Sequence, residues 1–124
     1  MSASLQLSVP DRHLSPVALD RLRTLLVAEA EAVAARGAEH EALITQLRGL
    51  TDADSVLERE LAEAGVTRAA ETLADIQHAL RRLDAGGYGS CERCGRTMPL
   101  ERLQAIPSAR LCVSCTGRRG GWTR

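Results

Sequence analysis

The stretch Leu43-Ile44-Thr45-Gln46-Leu47-Arg48-Gly49-Leu50-Thr51-Asp52-Ala53-Asp54-Ser55-Val56 (43–56) decides the fold, because two long helical patterns meet in it. Upstream, apolar residues follow three-and-four spacing at Leu22, Leu26, Val33, Leu43 and Leu47. Glu29, Arg36 and His40 fall on the same stripe and leave its middle wet. Ser15 stands at an N-cap position with Pro16 at the first helical position, and Asp20 favours the positive end of the dipole. Leu14 and Leu19 have the spacing of a hydrophobic staple. Gly49 is a C-cap candidate, so a helix over about 16–48, roughly 50 Å long, is expected.

Downstream, Ser55 and Glu58 form a capping-box pattern, and a second seam runs Val66, Ala69, Leu73, Ile76, Leu80, Leu83. Arg81 and Arg82 occupy the last turn before Gly86-Gly87 stops the helix. About six residues, Gly49 to Asp54, join two helices that each expose a leucine stripe. An antiparallel hairpin is the arrangement that buries both. Gly37 and Gly65 both lie 14 residues from Thr51, so a turn centred there sets them level. A shared close approach and two tolerated surface glycines are the competing readings of that pair.

Composition supports helix. There is no Phe, one Tyr and one Trp, so Leu, Ala and Val must supply the buried surface. Lys plus Arg and Asp plus Glu both number 16, and a net charge of zero argues against a general nucleic-acid coat. No apolar run reaches the roughly 20 residues a membrane span needs. Met1–Leu5 has neither a basic start nor an apolar stretch, so the cytoplasm is the expected location.

Residues 86–117 replace the helical pattern with glycines, prolines and cysteines. The four cysteines form two pairs, Cys91-Glu92-Arg93-Cys94 and Cys112-Val113-Ser114-Cys115, separated by Gly95 to Leu111. Each Cys-x-x-Cys turn lets two sulfurs converge on one ion, and two turns complete the tetrahedron of thiolates that zinc prefers. Gly95 suits a knuckle that needs positive φ. Four thiolates fill the coordination shell, so a single structural zinc ion is expected at Cys91, Cys94, Cys112 and Cys115. Iron is chemically possible in such a site. About 30 residues with one aromatic need a metal to fold.

The run Leu83, Gly87-Tyr88-Gly89-x-Cys91-x-x-Cys94-Gly95, Arg102-Leu103, Ala105, Pro107 and Leu111-Cys112-x-x-Cys115 resembles the DksA/TraR family of zinc-finger transcription factors. The match is close over roughly 83–115, and the hairpin is similar in architecture. The resemblance implies a protein that binds RNA polymerase and inserts an acidic-tipped coiled coil into its secondary channel. Initiation is then altered without sequence-specific DNA contacts. Asp52 and Asp54 are the tip carboxylates that this role would use; capping of the second helix is the competing reading. The family's tip commonly reads Asp-x-x-Asp-x-Ala, whereas this chain has Thr51-x-x-Asp54-x-Val56. Residues that contact the alarmone ppGpp in some DksA proteins fall at Asp75 and Ile106, neither of which neutralises phosphate, so no ppGpp synergy is expected.

The expected architecture is therefore all-α dominated: a long antiparallel helical hairpin (15–85, tip at about 49–55) plus a four-cysteine zinc module (86–117). Flexible segments, 1–14 and 118–124, flank it. His13 and His78 are expected at the surface, and His40 as a polar break in the seam. The protein is expected to be a monomer without membrane contact. Two rivals remain: a zinc-ribbon DNA-binding protein, for which Arg81-Arg82 and the tail are the only concentrated basic stretches, and a coiled-coil interaction adaptor. An enzyme is not expected, since no nucleophile–base pair or open metal position can be read.

Overall fold

The structure is a computed structural model that describes residues 13–122, the backbone alone from 118 onward. Leu5, Leu7 and Val9, read as a weak alternation, lie outside the described residues, as do Thr123 and Arg124. Helix α1 spans Pro16–Gln46 and α2 spans Ala53–Ala85. A short α3 covers Leu100–Ala105, and α4 covers Val113–Trp122.

Helix α1 starts as its sequence dictates. The Ser15 hydroxyl accepts the Ala18 N–H at 3.0 Å, and Pro16 follows, where its missing N–H costs nothing. At the other end the C-cap is Leu47, whose N–H reaches Leu43 O, and Gly49 takes φ +85° two residues later. That left-handed step reverses the chain, and it strains any residue with a Cβ.

The start of α2 differs from the expected capping box. Asp52, not Ser55, is the N-cap, and its carboxylate accepts the Ser55 N–H at 3.0 Å. The helix thereby begins at Ala53, and the turn keeps six residues but moves to 47–52. Gly86 ends α2 at φ +88°, its N–H donating to Arg82 O at 2.9 Å.

The two helices pack antiparallel. Leu22, Leu26 and Val33 of α1 are buried against Ile76 and Ala79 of α2, with Ala30, Ala69, Leu73, Leu80 and Leu83 completing the core. Burial of each large aliphatic here stabilises by roughly 1.5–3 kcal/mol. Toward the turn the seam thins, because Leu43, Leu47 and Val66 are only half-buried while Ala62 and Gly65 are covered. The apolar packing is thus concentrated away from the tip.

The glycine pair marks a close approach, though not between the two glycines. A Cβ on Gly37 would lie 3.3 Å from Ala69 Cβ, and one on Gly65 would lie 2.6 Å from the His40 ring. Facing residues therefore sum to 105–106 rather than the 102 expected from a turn at Thr51. The register of the facing residues differs from that expectation by about one helical turn. His40 is the polar element in the seam that its position suggested, lying over the glycine opposite.

Two boundaries also move. Leu14 is buried, and the imidazole of His13 meets Met98 O at 2.7 Å, so the segment assigned to 1–14 is anchored at its last two residues. Helix α4 continues through Trp122, across Gly117, Gly120 and Gly121, where the sequence suggested that structure ends at 117. Three glycines weaken a helix by about 1 kcal/mol each without forbidding it.

Candidate metal centre

The chain leaves α2 at Gly86 and buries Tyr88, whose hydroxyl donates to Pro107 O at 2.9 Å. An isolated antiparallel bridge joins Ser90 to Thr97, reinforced by Met98 N–H to Gly89 O and Cys91 N–H to Arg96 O, both 2.8 Å. Between those strand-like arms the Cys91–Cys94 knuckle turns, closed by Gly95 N–H to Cys91 O at 2.9 Å. Gly95 sits at φ +80°, the conformation expected of it. The second knuckle starts at Cys112 and runs into α4, with Thr116 N–H bonded to Cys112 O. Glu92 N–H donates to Arg110 O at 2.8 Å and ties the two knuckles together. Beneath them Met98 and Leu103 are fully buried, joining Leu14, Leu22 and Tyr88 in one core.

This framework brings the sulfurs of Cys91, Cys94, Cys112 and Cys115 within 4.8 Å of one another. All four are free thiols, and Cys94 Sγ lies 3.8 Å from Cys112 Sγ, far beyond a disulfide bond. A tetrahedron with zinc–sulfur bonds of about 2.3 Å has edges of about 3.8 Å, so the spacing fits one zinc ion. Burial acts to raise the Cys91 pKa. The backbone amides of Cys112, Cys94 and Arg93 and the Cys115 side chain outweigh it and bring the thiol down to about 6. At Cys112 the Cys115 backbone amide likewise lowers the pKa against desolvation. Amides pointing at sulfur favour thiolates, the form that binds metal. A bound zinc ion would fix the two knuckles to each other. With four thiolates supplied it would serve structure.

Sequence reasoning missed what attaches this module to the hairpin. Arg82 of α2 donates through Nη1 to Ser90 O (3.1 Å) and Glu92 Oε2 (3.2 Å), and through Nη2 to Ser90 Oγ (3.0 Å) and Gly87 O. His78, expected to be solvated, is half-buried and bonded to the same Glu92 carboxylate. Glu92 sits inside the first knuckle, so the pair connects metal site to helix. In the sequence, Arg82 reads only as a cation near a helix C-terminus. The turn that brings Ser90 and Glu92 back over α2 is a tertiary event.

Asp75 and Ile106, the positions matched to alarmone contacts, line one surface cavity of about 340 Å³ with Arg102 and Arg110. Arg110 pairs with Asp75 at 3.0 Å. Arg102 donates to Leu111 O (3.0 Å) and Thr116 Oγ1 (3.1 Å). Asp52 and Asp54 lie at the opposite end of the hairpin from the cysteines. Both are exposed. Hydrogen bonds from the Ser55 side chain and amide hold the Asp52 carboxyl below its ordinary value. The capping reading therefore holds for Asp52, whose side chain remains exposed.

Fold and site together define a helical-hairpin protein carrying a four-cysteine zinc finger at its base. The sequence profile of the prokaryotic DksA/TraR C4-type zinc finger matches residues 86–119. Over those residues the chain is similar to the DksA/TraR zinc-finger family. It is 36% identical over 66 residues to the RNA polymerase-binding transcription factor DksA of Caulobacter vibrioides, covering 53% of this chain and 46% of that one. General stress protein 16O of Bacillus subtilis is 44% identical over 43 residues, 35% of this chain and 26% of its own. The aligned segments thus span under half the length of these curated relatives. Transcription factor DksA2 from Pseudomonas aeruginosa superposes with a TM-score of 0.77 at 27% identity, over 86% of each chain. No helix among the described residues is long and apolar enough to cross a membrane.

Proposed function

We propose that this protein binds RNA polymerase and alters transcription initiation by inserting its helical hairpin, tip first, into the polymerase secondary channel. One observation carries the reading: the chain shares the fold of a DksA transcription factor over 86% of both chains, hairpin and finger included. The hairpin is a stiff probe, since α1 alone is about 46 Å long at 1.5 Å per residue. Its turn presents Asp52 and Asp54, two exposed carboxylates suited to cationic groups or a metal-bearing centre within a channel. The zinc finger, tied to α2 by Arg82 and His78, fixes the angle at which the hairpin leaves the docked base.

The role is regulatory and not enzymatic, with a monomer in the cytoplasm as the working form. Sequence-specific DNA contact is not needed, which agrees with a net charge of zero. Joint action with ppGpp is not part of the proposal. The two arginines of the Asp75–Ile106 cavity are already engaged, one by Asp75 and one by Leu111 and Thr116.

Binding of the zinc-loaded chain to purified RNA polymerase tests the reading, with Asp52→Asn/Asp54→Asn as the comparison. Asn is as good an N-cap as Asp, so the double variant removes charge while keeping the helix start. Weaker binding or loss of the effect on open complexes is the expected outcome. Equal affinity and equal effect would remove the tip from the mechanism, and no binding by the wild type would end the proposal.

A further inference from the structure

We infer that Arg59 is the positioning residue of the hairpin tip: a cation from α2 that holds the turn in the shape presenting Asp52 and Asp54. The inference rests on the tip being the working end, as proposed above. Arg59 lies two turns into α2, yet its Nη1 donates back across the hairpin to Leu47 O at 2.9 Å and Leu50 O at 3.2 Å. These carbonyls belong to the C-cap of α1 and to the turn, where helical partners run out. Leu47 O also accepts the Leu50 N–H at 3.1 Å, so one carbonyl receives both the turn's own closure and the guanidinium. A cation at this place also meets the negative end of the α1 dipole.

Little else holds the turn. Leu50, Leu57 and Leu61 around it are exposed, and Leu43 and Leu47 are half-buried. Gly49, at φ +85°, gives the turn its reversal and at the same time gives the unfolded turn its freedom. The apolar packing that rigidifies the hairpin lies toward the finger, from Val33 and Ile76 onward. Within the turn, the Asp52 cap fixes the start of α2, whereas Arg59 alone among the described side chains bridges from α2 to both Leu47 and Leu50. Arg59 therefore sets where the segment carrying the two carboxylates sits relative to α1. A tip held in one shape binds without first selecting it from an ensemble, and apparent affinity falls with the competent fraction.

The test uses the full zinc-loaded chain with Arg59→Ala and Arg59→Lys, each alone and in the Asp52→Asn/Asp54→Asn background. Two readouts are taken: amide exchange across residues 47–56, and affinity for RNA polymerase. In Arg59→Ala, exchange at the Leu50 amide should speed up while amides near Ile76 and Ala79 and the zinc content stay as in wild type. Affinity should fall on the order of tenfold, and Arg59→Lys should recover part of it. In the double-Asn background the same Arg59→Ala change should cost markedly less, because its effect runs through the carboxylates. Unchanged exchange at Leu50 would overturn the inference whatever the polymerase does. So would an equal loss of affinity with and without the two aspartates. Should wild type not bind polymerase, the proposed function falls, while the exchange readout still decides whether Arg59 holds the turn.

Discussion

Truncation of Arg82 is the sharpest test of how the finger is joined to the hairpin. Its guanidinium donates to four acceptors: Ser90 O, Ser90 Oγ, Gly87 O and the Glu92 carboxylate. The side chain is 18% exposed, so solvent screens these bonds only modestly. A hydrogen bond from a charged donor contributes about 1.5–3 kcal/mol, and four that share one planar group do not add in full. Arg82→Ala also leaves the Ser90 carbonyl wanting a partner near a covered surface, and leaves Gly87 O only the Ser90 hydroxyl at 3.3 Å. About 3 kcal/mol is the expected loss. For a domain of this size that lowers Tm by roughly 10–15 °C. Lys carries the charge but not the fork, so Arg82→Lys should recover less than half. Thermal unfolding of the zinc-loaded protein by circular dichroism, run beside zinc release to a chromogenic chelator, measures both the joint and the finger. A Tm within about 3 °C of wild type, with zinc held as tightly, would refute this account of the joint.

Cys94→Ser should leave three thiolates and reduce zinc content well below one per chain by elemental analysis; full occupancy would mean that Cys94 is not a ligand. Gly65→Ala should destabilise by about 1 kcal/mol net, because a Cβ set 2.6 Å from the His40 ring costs more than the gain in helix propensity. With His40→Ala present, the same change should become stabilising, and denaturant melts of the four proteins in the cycle check that reversal of sign. Asp52 has its pKa lowered by the Ser55 hydrogen bonds, so its capping contribution is complete above its ordinary value of 3.8 and lost as pH falls through the depressed one. Asp52→Asn should abolish that acid-side dependence of tip exchange, and persistence of the dependence in the variant would assign it to another group.

Local signals in the chain gave the helices and the ligands. Ser15-Pro16, Gly86 and the three-and-four spacing of Leu22, Leu26, Leu73 and Ile76 are written in neighbouring residues, and so are the two Cys-x-x-Cys knuckles with Gly95. Competing local signals were harder to rank. Asp52, Asp54 and Ser55 each qualify as an N-cap, and the structure uses Asp52 where the capping-box pattern pointed to Ser55. Ala62 and Ala79 are buried in the seam but were overlooked, because small residues add little to a hydrophobic pattern even where they let backbones approach.

The sequence by itself determined that two amphipathic rods must pair and that four sulfurs must converge, since both follow from short-range periodicity and spacing. Only the tertiary structure decided which distant groups meet. Arg82 reaches Ser90 and Glu92, His78 joins that carboxylate, His40 lies over Gly65, and Arg59 crosses back to Leu47 and Leu50. The reason is physical. A long polar side chain has many possible partners along the chain, and its choice is made only when the register of two helices and the path of a loop bring one within hydrogen-bonding reach.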